Sequence, residues 1–315
     1  MKCWATGYDG AVYTLPTVEK WEFRYGLGSP CDSFEVSCLW ETGAERVLDG
    51  ATRFFAEEDG QRVFTGVVDE YACVRDGRGS RLELSGRGLQ ALLLDNEALP
   101  VEYQWATARD ILRRHVAPYG IQTAGGCSLG AVAGFSVSAG QSEWSVVRDF
   151  ACFHGGVVPR FDREGRLILS GWDGTRRRLG DGAAVTALRY GNRRYGVLSQ
   201  VVVRDKARGL TETVDDREFQ ARGGRCRRVV CTAGRSSAPA MRLSGAYQLR
   251  ASRAERETVE VTLAEGFAAW PGELLELSRT GFGGNGVYRV RESAVSAGEQ
   301  GLTTRLALGP ADLLV

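Results

Sequence analysis

Short apolar segments separated by polar turns constrain the fold of this sequence more than any other feature. Residues 62–74, RVFTGVVDEYACV, are rich in Val, Phe and Tyr, and residues 80–86, SRLELSG, alternate Leu82 and Leu84 with polar neighbours. A period of two is typical of a half-buried strand, and Asp76-Gly77 between the segments favours a hairpin turn. Together with SFEVSCLW at 33–40, these segments predict an all-β unit, a small barrel or sandwich, at the start of the chain.

The C-terminal part of the chain also consists of predicted strands separated by turns. A strand is predicted in YGVLSQVVVRD, and four closing strands, each ended by Gly, Ser or Pro, follow in ETVEVTLAEG, GELLELSR, GVYRVRESAVS and LTTRLALGP. The chain therefore carries a β unit at each end.

Helical patterns occur mainly between these β units. TARDILRRHVAPY (107–119) and SEWSVVRDFACFHGG (142–156) place apolar residues at three- and four-residue spacing, with Thr107 and Ser142 as N-caps. A hairpin that turns at 162–165 is predicted next, and a third, arginine-rich amphipathic helix is predicted over 244–257.

These patterns predict a mixed, mainly β (α+β) fold with two small β-barrel-like domains and small α/β lobes between them. The predicted divisions are 1–97 for the first barrel-like domain, which ends in a short helix, and 98–175 for the lobes. The second barrel-like domain, with an inserted amphipathic helix, is predicted over 176–315.

Composition and charge exclude several classes of protein. Apolar residues make up 43% and charged residues 25% of the chain, as in ordinary globular proteins. A net charge of +1 gives no field that favours nucleic acid, so no specific nucleic-acid recognition is expected. No segment resembles a signal peptide, and no apolar run is long enough to cross a bilayer, so no stable membrane anchoring is expected.

The cysteines are spread singly and form no Cys-x-x-Cys pair, which argues against a zinc knuckle or a redox motif. Most are predicted to be reduced core residues. Local bridges between Cys31 and Cys38 or between Cys226 and Cys231 remain the alternative. The eight positions are Cys3, Cys31, Cys38, Cys73, Cys127, Cys152, Cys226 and Cys231.

Gly86-Arg87-Gly88 follows a strand and precedes the leucines of GLQALLL, so it invites comparison with a nucleotide-binding loop. A dinucleotide fingerprint needs a third glycine, but Ala91 occupies that position, and the preceding strand belongs to a hairpin rather than a parallel crossover. We therefore expect no cofactor site. The glycines are predicted to let the strand turn sharply into a short helix whose Leu89, Leu92 and Leu93 cover the end of the barrel.

No catalytic, cofactor-binding or metal-binding residues are predicted. His115 and His154 lie on or beside apolar helix faces, where a core or interfacial imidazole is favoured over a ligand or a base. No Gly-x-Ser-x-Gly motif supports a nucleophilic triad. The acidic runs at 57–59 and 215–216 lie in polar, loop-like surroundings, where solvation keeps carboxylates ordinary.

Tryptophans and arginine clusters are the remaining conspicuous features. Trp21, Trp40 and Trp144 are predicted to be structural, whereas the roles of Trp4, Trp105, Trp172 and Trp270 stay open. The clusters at 176–178, 193–194 and 225–228 are expected to form a solvated face, with a partner interface as the alternative. Acids available to neutralise them are Asp173, Asp181, Asp215, Asp216 and Glu218.

The order of these parts resembles the baseplate hub proteins of contractile phage tails, including the late-control-D group and the hubs of Mu-like and prophage-like tails. The resemblance covers most of the chain, and its only noted departure is Val147 and Phe150 where the family often has Leu. Five segments carry it: VFTGVVDEYACV (63–74), RLELSGRGLQALLLDNEAL (81–99), ATARDILRRHVAPYGI (106–121), GQSEWSVVRDFACFHGGVVPRFDREGRLIL (140–169) and WPGELLELSRTGFGGNGVYRVRESAVSAGEQGLTTRLAL (270–308).

The resemblance implies a non-enzymatic homotrimer without cofactors. Each chain of such a hub supplies two barrel-like domains, so that three chains adapt a six-fold tail tube to a three-fold spike. The implied partners are the spike, tail tube and tape-measure proteins, and the implied location is the virion tail baseplate, after assembly in the bacterial host cytoplasm. A tail-associated cell-wall-degrading enzyme and a carbohydrate-binding β protein remain the alternatives.

Overall fold

The computed structural model describes residues 1–27, 31–77, 79–127, 129–171, 175–232, 236–254 and 256–313. Trp172, Asp173 and the side chain of His154, which the sequence analysis singles out, lie outside the described part. No described helix is long and apolar enough to cross a membrane.

The first β unit is a curled antiparallel sheet in the order β3-β4-β7-β6-β5-β1-β2. The predicted hairpin at Asp76-Gly77 is confirmed as the β6–β7 connection. Phe23, Phe34, Phe54 and Phe64 are almost fully buried inside this sheet, and the rings of Phe34 and Phe54 stack 3.8 Å apart. The elements are β1 (Lys2–Gly7), β2 (Val12–Thr14), β3 (Val18–Gly26), β4 (Ser33–Leu39), α1 (Ala44–Leu48), β5 (Ala51–Glu58), β6 (Gln61–Asp76), β7 (Gly79–Gly88) and α2 (Gln90–Leu94).

The predicted passage from a strand into a short helix is confirmed, because β7 ends at Gly88 and α2 begins at Gln90. The role predicted for Gly86 is wrong, because this glycine lies inside β7 and not at the turn. A Cβ at Gly86 would lie 2.0 Å from the carbonyl oxygen of Val67 and 2.7 Å from the Phe34 ring. Glycine is therefore required because two strands and an aromatic ring approach each other closely.

The helix α2 also packs in a different place from the one predicted. Leu93 of α2 and the preceding Leu89 are buried in the central hydrophobic core, not in the core of the first β unit. The same central cluster contains Ile111, Trp144 and Phe150 from the helical part of the chain. Helix α2 thus joins the first β unit to the central lobes.

The central part consists of short elements around that core. The predicted N-caps are confirmed: Thr107 and Asp110 form a capping box, and Ser142 Oγ accepts a hydrogen bond from the Ser145 amide at 3.1 Å. The hairpin that turns at 162–165 is also confirmed. The elements are β8 (Val101–Ala106), α3 (Ala108–His115), a 3₁₀ turn (Ala117–Tyr119), β9 (Thr123–Ala124), β10 (Val132–Val137), α4 (Glu143–Arg148), a π-helical turn (Asp149–His154), β11 (Arg160–Phe161) and β12 (Leu167–Ile168).

The second β unit follows the path β13-β19-β20-β21-β18-β14, and the four predicted closing strands are all present. A separate three-stranded sheet, β16-β15-β17, packs against α6. The elements are β13 (Arg176–Leu179), β14 (Val185–Asn192), β15 (Gln200–Asp205), β16 (Leu210–Asp215), α5 (Arg217–Ala221), β17 (Arg227–Cys231), α6 (Ala238–Arg253), β18 (Glu257–Leu263), β19 (Leu274–Leu277), β20 (Gly286–Gly298) and β21 (Gly301–Pro310).

The predicted range of the third helix, 244–257, is shifted relative to the observed α6. Ser237 caps the helix by accepting a hydrogen bond from the Ala240 amide, and Pro239 occupies the first turn, where a missing N–H costs nothing. The last residue of the predicted range, Glu257, instead begins strand β18.

The mainly β, mixed α+β fold is confirmed, but the two β units are not separate barrels. Strands β3 and β20 pair, so both units belong to one continuous thirteen-stranded sheet. Pairing among the described strands closes neither unit into a ring. The domain divisions near residues 97 and 175 stay a prediction.

Candidate functional site

The junction between the two β units is the most distinctive feature of the molecule. Strands β3 and β20 pair antiparallel, with Trp21 opposite Ala297 at one end and Gly26 opposite Glu292 at the other. A salt bridge of 3.0 Å between Glu22 and Arg305 reinforces the contact on the exposed side. Backbone hydrogen bonds therefore fix how one unit sits beside the other.

Trp270 lies where the central hairpin meets both β units. Its ring makes an edge-to-face contact with Tyr25 of β3, with centroids 4.7 Å apart. The guanidinium of Arg163, from the hairpin tip, stacks 3.7 Å from the Trp270 ring centroid. Burial lowers the pKa of Arg163, although an arginine remains protonated there.

The hairpin tip is also held by close backbone contact. Gly165 has a positive φ of 77°, and a Cβ at this position would lie 2.7 Å from Leu89 Cδ1. Contacts of Trp270 with Tyr25 and Arg163, and of Leu89 with Gly165, thus hold the central hairpin against both β units. The sequence gives no signal for this role of Trp270, because Trp270 precedes Pro-Gly and belongs to no periodic segment.

The main path of the described sheet ends in β2 on one side and in β14 on the other, and β13 is the edge of the branch that leaves the path at β20. Strand β2 is only three residues long, whereas β14 spans eight and displays Tyr190, which is 40% exposed. An unpaired strand edge presents backbone donors and acceptors to another chain. The outer edges are therefore candidate sites of assembly.

The prediction that His115 is a core imidazole is confirmed, because its side chain is 1% exposed. Its Nδ1 lies 2.5 Å from Glu143 Oε2, and its Nε2 lies 3.0 Å from the Tyr103 hydroxyl. The Tyr119 hydroxyl donates to the other carboxylate oxygen of Glu143 at 3.2 Å. This network joins α3 to α4 and is consistent with a structural role.

The acidic runs have structural partners. Glu57 pairs with Arg62 at 3.1 Å beside the β5–β6 turn. Asp216 differs from the prediction, because it is buried, caps α5 through the Phe219 amide and pairs with Arg253. Burial raises the pKa of Asp216, but these hydrogen bonds outweigh burial and hold its pKa below the ordinary value.

The described tryptophans lie on separate elements. Trp21 and Trp144 are buried, which confirms their predicted structural roles. Trp4 stacks on Phe55 at 5.5 Å, and Trp105 is 67% exposed. Together with Trp270 at the junction, this distribution does not line a common groove.

Two arginines of the first cluster pair with glutamates in or next to β19, which are not among the predicted acids. Arg176 pairs with Glu276 at 2.8 Å, and Arg177 pairs with Glu273 at 2.5 Å. Asp181 instead accepts hydrogen bonds from Thr280. The parallel pairing of β13 with β19 brings these charges together across the sequence.

All eight cysteines are free, which agrees with the predicted reduced state and not with the alternative of local bridges. Burial in the core is confirmed for Cys3, Cys38 and Cys152. The prediction of a core position is wrong for the four exposed cysteines, which are Cys73, Cys127, Cys226 and Cys231.

The described residues include one wide cleft and no cluster of metal-ligand side chains. A cleft of about 700 Å³ lies beside α3, and its walls include Arg109, Leu112, Arg113 and Val116. None of its lining side chains is a carboxylate or an imidazole. Within the described residues, no group of three or more His, Cys, Asp or Glu side chains is arranged to hold a metal ion.

Solved structures share this fold over the whole chain. The tail protein from Neisseria meningitidis MC58 superimposes with a TM-score of 0.79 at 18% identity, covering 99% of this chain and 97% of that one. The 43 kDa tail protein of prophage MuSo2 from Shewanella oneidensis superimposes with a TM-score of 0.77 at 17% identity. That match covers 100% of this chain and 99% of the other.

A more distant similarity extends to a secretion machine. The E. coli c3393 protein, described as a type VI secretion component similar to the T4 tail proteins gp27 and gp5, gives a TM-score of 0.57 at 15% identity. That match covers 93% of this chain and 73% of the other. No protein-family model matches the chain, and no curated protein matches it. At these identities the likeness is one of fold.

Proposed function

We propose that this protein is a structural component of a contractile tail or a related injection machine, acting as its baseplate hub. The observation that carries the proposal is the end-to-end fold likeness to two tail proteins, which spans nearly the full length of this chain and of both tail proteins. The sequence segments that resemble the late-control-D and Mu-like hubs support the same assignment.

The proposed hub is a homotrimeric ring located in the virion tail baseplate after assembly in the host cytoplasm. Two β units in each chain give three chains six similar modules, which suits an adaptor between a six-fold tail tube and a three-fold spike. Tape-measure proteins are proposed as further partners. The β3–β20 junction supports this arrangement, since it holds two β modules side by side within one chain.

A non-enzymatic role is part of the proposal. The histidine and acidic residues considered above as catalytic candidates make contacts within the fold, and the described tryptophans are dispersed. No specific observation favours the cell-wall-degrading enzyme or the carbohydrate-binding protein.

The test is the mass and symmetry of the purified protein. Light scattering should give three times the 34.3 kDa of one chain, and electron-microscopy averages should show a three-fold ring with six lobes. A strict monomer, even when co-expressed with spike and tube proteins from its own operon, would contradict the hub. Release of sugar or peptide from purified cell wall, abolished by replacing one Glu or Asp, would contradict the non-enzymatic role.

A further inference from the structure

The small sheet β16-β15-β17 has one covered face and one open face. Val201 and Val203 of β15 are buried beneath α6, whereas Val202 turns to the other side. Val202 lies beside Val229 of β17 and Thr213 of β16. Val229 is 53% exposed, so nothing in the described chain covers this face.

The backbone of β17 is open along its outer edge. Cys226 accepts hydrogen bonds through its carbonyl oxygen from the amides of Ser199 and Gln200, and the Thr232 amide donates to Arg204. The backbone groups of the even-numbered residues in and next to β17 therefore point toward β15. Because successive residues of a strand alternate in direction, the backbone groups of Arg227, Val229 and Cys231 point outward. Strand β17 pairs only with β15 among the described strands.

The arginines of this edge contact neutral acceptors. Arg225 donates to the carbonyl oxygens of Gln220 and Gly224, Arg227 donates to Gln200, and Arg228 donates to Gln248 at 3.1 Å. This differs from Arg242 and Arg253 of the neighbouring helix, which pair with Glu212 and Asp216.

One carboxylate, Asp215, lies in the same row as Gln200 and Arg227. It accepts hydrogen bonds from Gln200 and Gln220, not from an arginine. The edge thus presents an excess of positive charge beside an unpaired strand.

We propose that the outer edge of β17 binds an extended, acidic segment of a partner protein by strand addition. Main-chain hydrogen bonds from β17 give affinity, the exposed Val229 side chain gives an apolar contact, and Arg225, Arg227 and Arg228 select negative charge. The proposal concerns a surface away from the β3–β20 junction and does not rest on the hub assignment.

The test uses a fluorescent peptide that alternates Glu and Val, with anisotropy as the readout of binding. Val229→Pro removes an outward N–H while leaving the hydrogen bonds to β15 intact, and it should weaken binding by on the order of tenfold or more. Val229→Ala, which keeps the backbone donor, is the matched control and should retain most of the affinity.

Charge is tested separately. The double reversal Arg227→Glu with Arg228→Glu should also reduce affinity by on the order of tenfold, whereas Arg75→Glu with Arg194→Glu, at exposed sites elsewhere, should not. A Lys-Val peptide should not bind. Circular dichroism and thermal unfolding verify that each variant is folded.

A peptide with methylated backbone amides, offered to the unaltered protein, keeps the proposal testable if Val229→Pro fails to fold. Strand addition predicts that the methylated peptide binds much more weakly. Equal binding of both peptides, or equal binding of the Lys-Val peptide, would overturn the proposal. Self-association that depends on an unblocked β17 would also overturn it, because a second copy would then occupy the edge.

Discussion

At the scale of single residues, His115 shows how a buried polar group is stabilised. The imidazole is enclosed between α3 and α4 and has a hydrogen-bond partner on each ring nitrogen, Glu143 and Tyr103. Buried polar groups cost free energy unless they are paired, so removing one member leaves the others unsatisfied.

Replacing His115 with Ala should lower the free energy of unfolding by ~3 kcal/mol, because the buried Glu143 would keep only the Tyr119 hydroxyl as a partner. Urea denaturation measures this effect. Arg113→Ala, on the exposed side of the same helix, is the control and should change stability by less than about 0.5 kcal/mol. Equal effects from both substitutions would show that the network contributes nothing.

The same residue gives a pH dependence with a definite sign. Burial lowers the pKa of His115 below its ordinary value of 6.5, against the opposing effect of Glu143. The unfolded chain then binds a proton more readily than the native one, so stability should fall as the pH drops through the ordinary value of 6.5. The fall attributable to this residue should be missing in His115→Ala.

At the scale of elements, the β6–β7 hairpin shows that glycines in one segment have different roles. Gly86 has no room for a Cβ because Val67 O and Phe34 lie against it. Gly77, in the turn of the same hairpin, has nothing within 4 Å of the position that a Cβ would take.

Gly86→Ala should therefore destabilise the protein by ~3 kcal/mol or more, since the strands or the Phe34 ring must move. Gly77→Ala should change stability by less than about 1 kcal/mol. Thermal unfolding of the two variants tests this contrast. A Gly86→Ala variant as stable as Gly77→Ala would indicate that the strands separate easily.

At the scale of the whole molecule, Trp270 connects parts that are far apart in sequence. It contacts Tyr25 of the first β unit and Arg163 of the central hairpin while belonging to the second β unit. Loss of the Trp270 side chain should therefore weaken the cooperativity with which the two β units and the central hairpin unfold.

Trp270→Ala should lower the free energy of unfolding by ~3 kcal/mol and broaden the transition, because the junction loses its shared aromatic contact. Trp105→Ala removes a tryptophan that is 67% exposed and should have little effect. Denaturation followed by both circular dichroism and fluorescence measures the two variants. An unchanged, sharp transition in Trp270→Ala would contradict this role of the junction.

Local patterns in the sequence determined the elements. Alternating Leu82 and Leu84 and the Asp76-Gly77 turn predicted the hairpin, and Thr107 and Ser142 predicted the helix starts. These patterns are reliable because they depend only on residues close in sequence. Side chains alternate with a period of two along a strand, and a cap bonds to an amide two or three residues further on. The mainly β class and the core position of His115 followed from the same kind of reasoning.

Only the tertiary structure decided how the elements combine. The pairing of β3 with β20, the packing of α2 on the central core and the requirement for glycine at position 86 depend on residues distant in sequence. The partners of Arg176, Arg177 and Trp270 were unpredictable for the same reason. Sequence periodicity specifies which face of an element is buried, but the partner that buries it is set by packing across the whole chain.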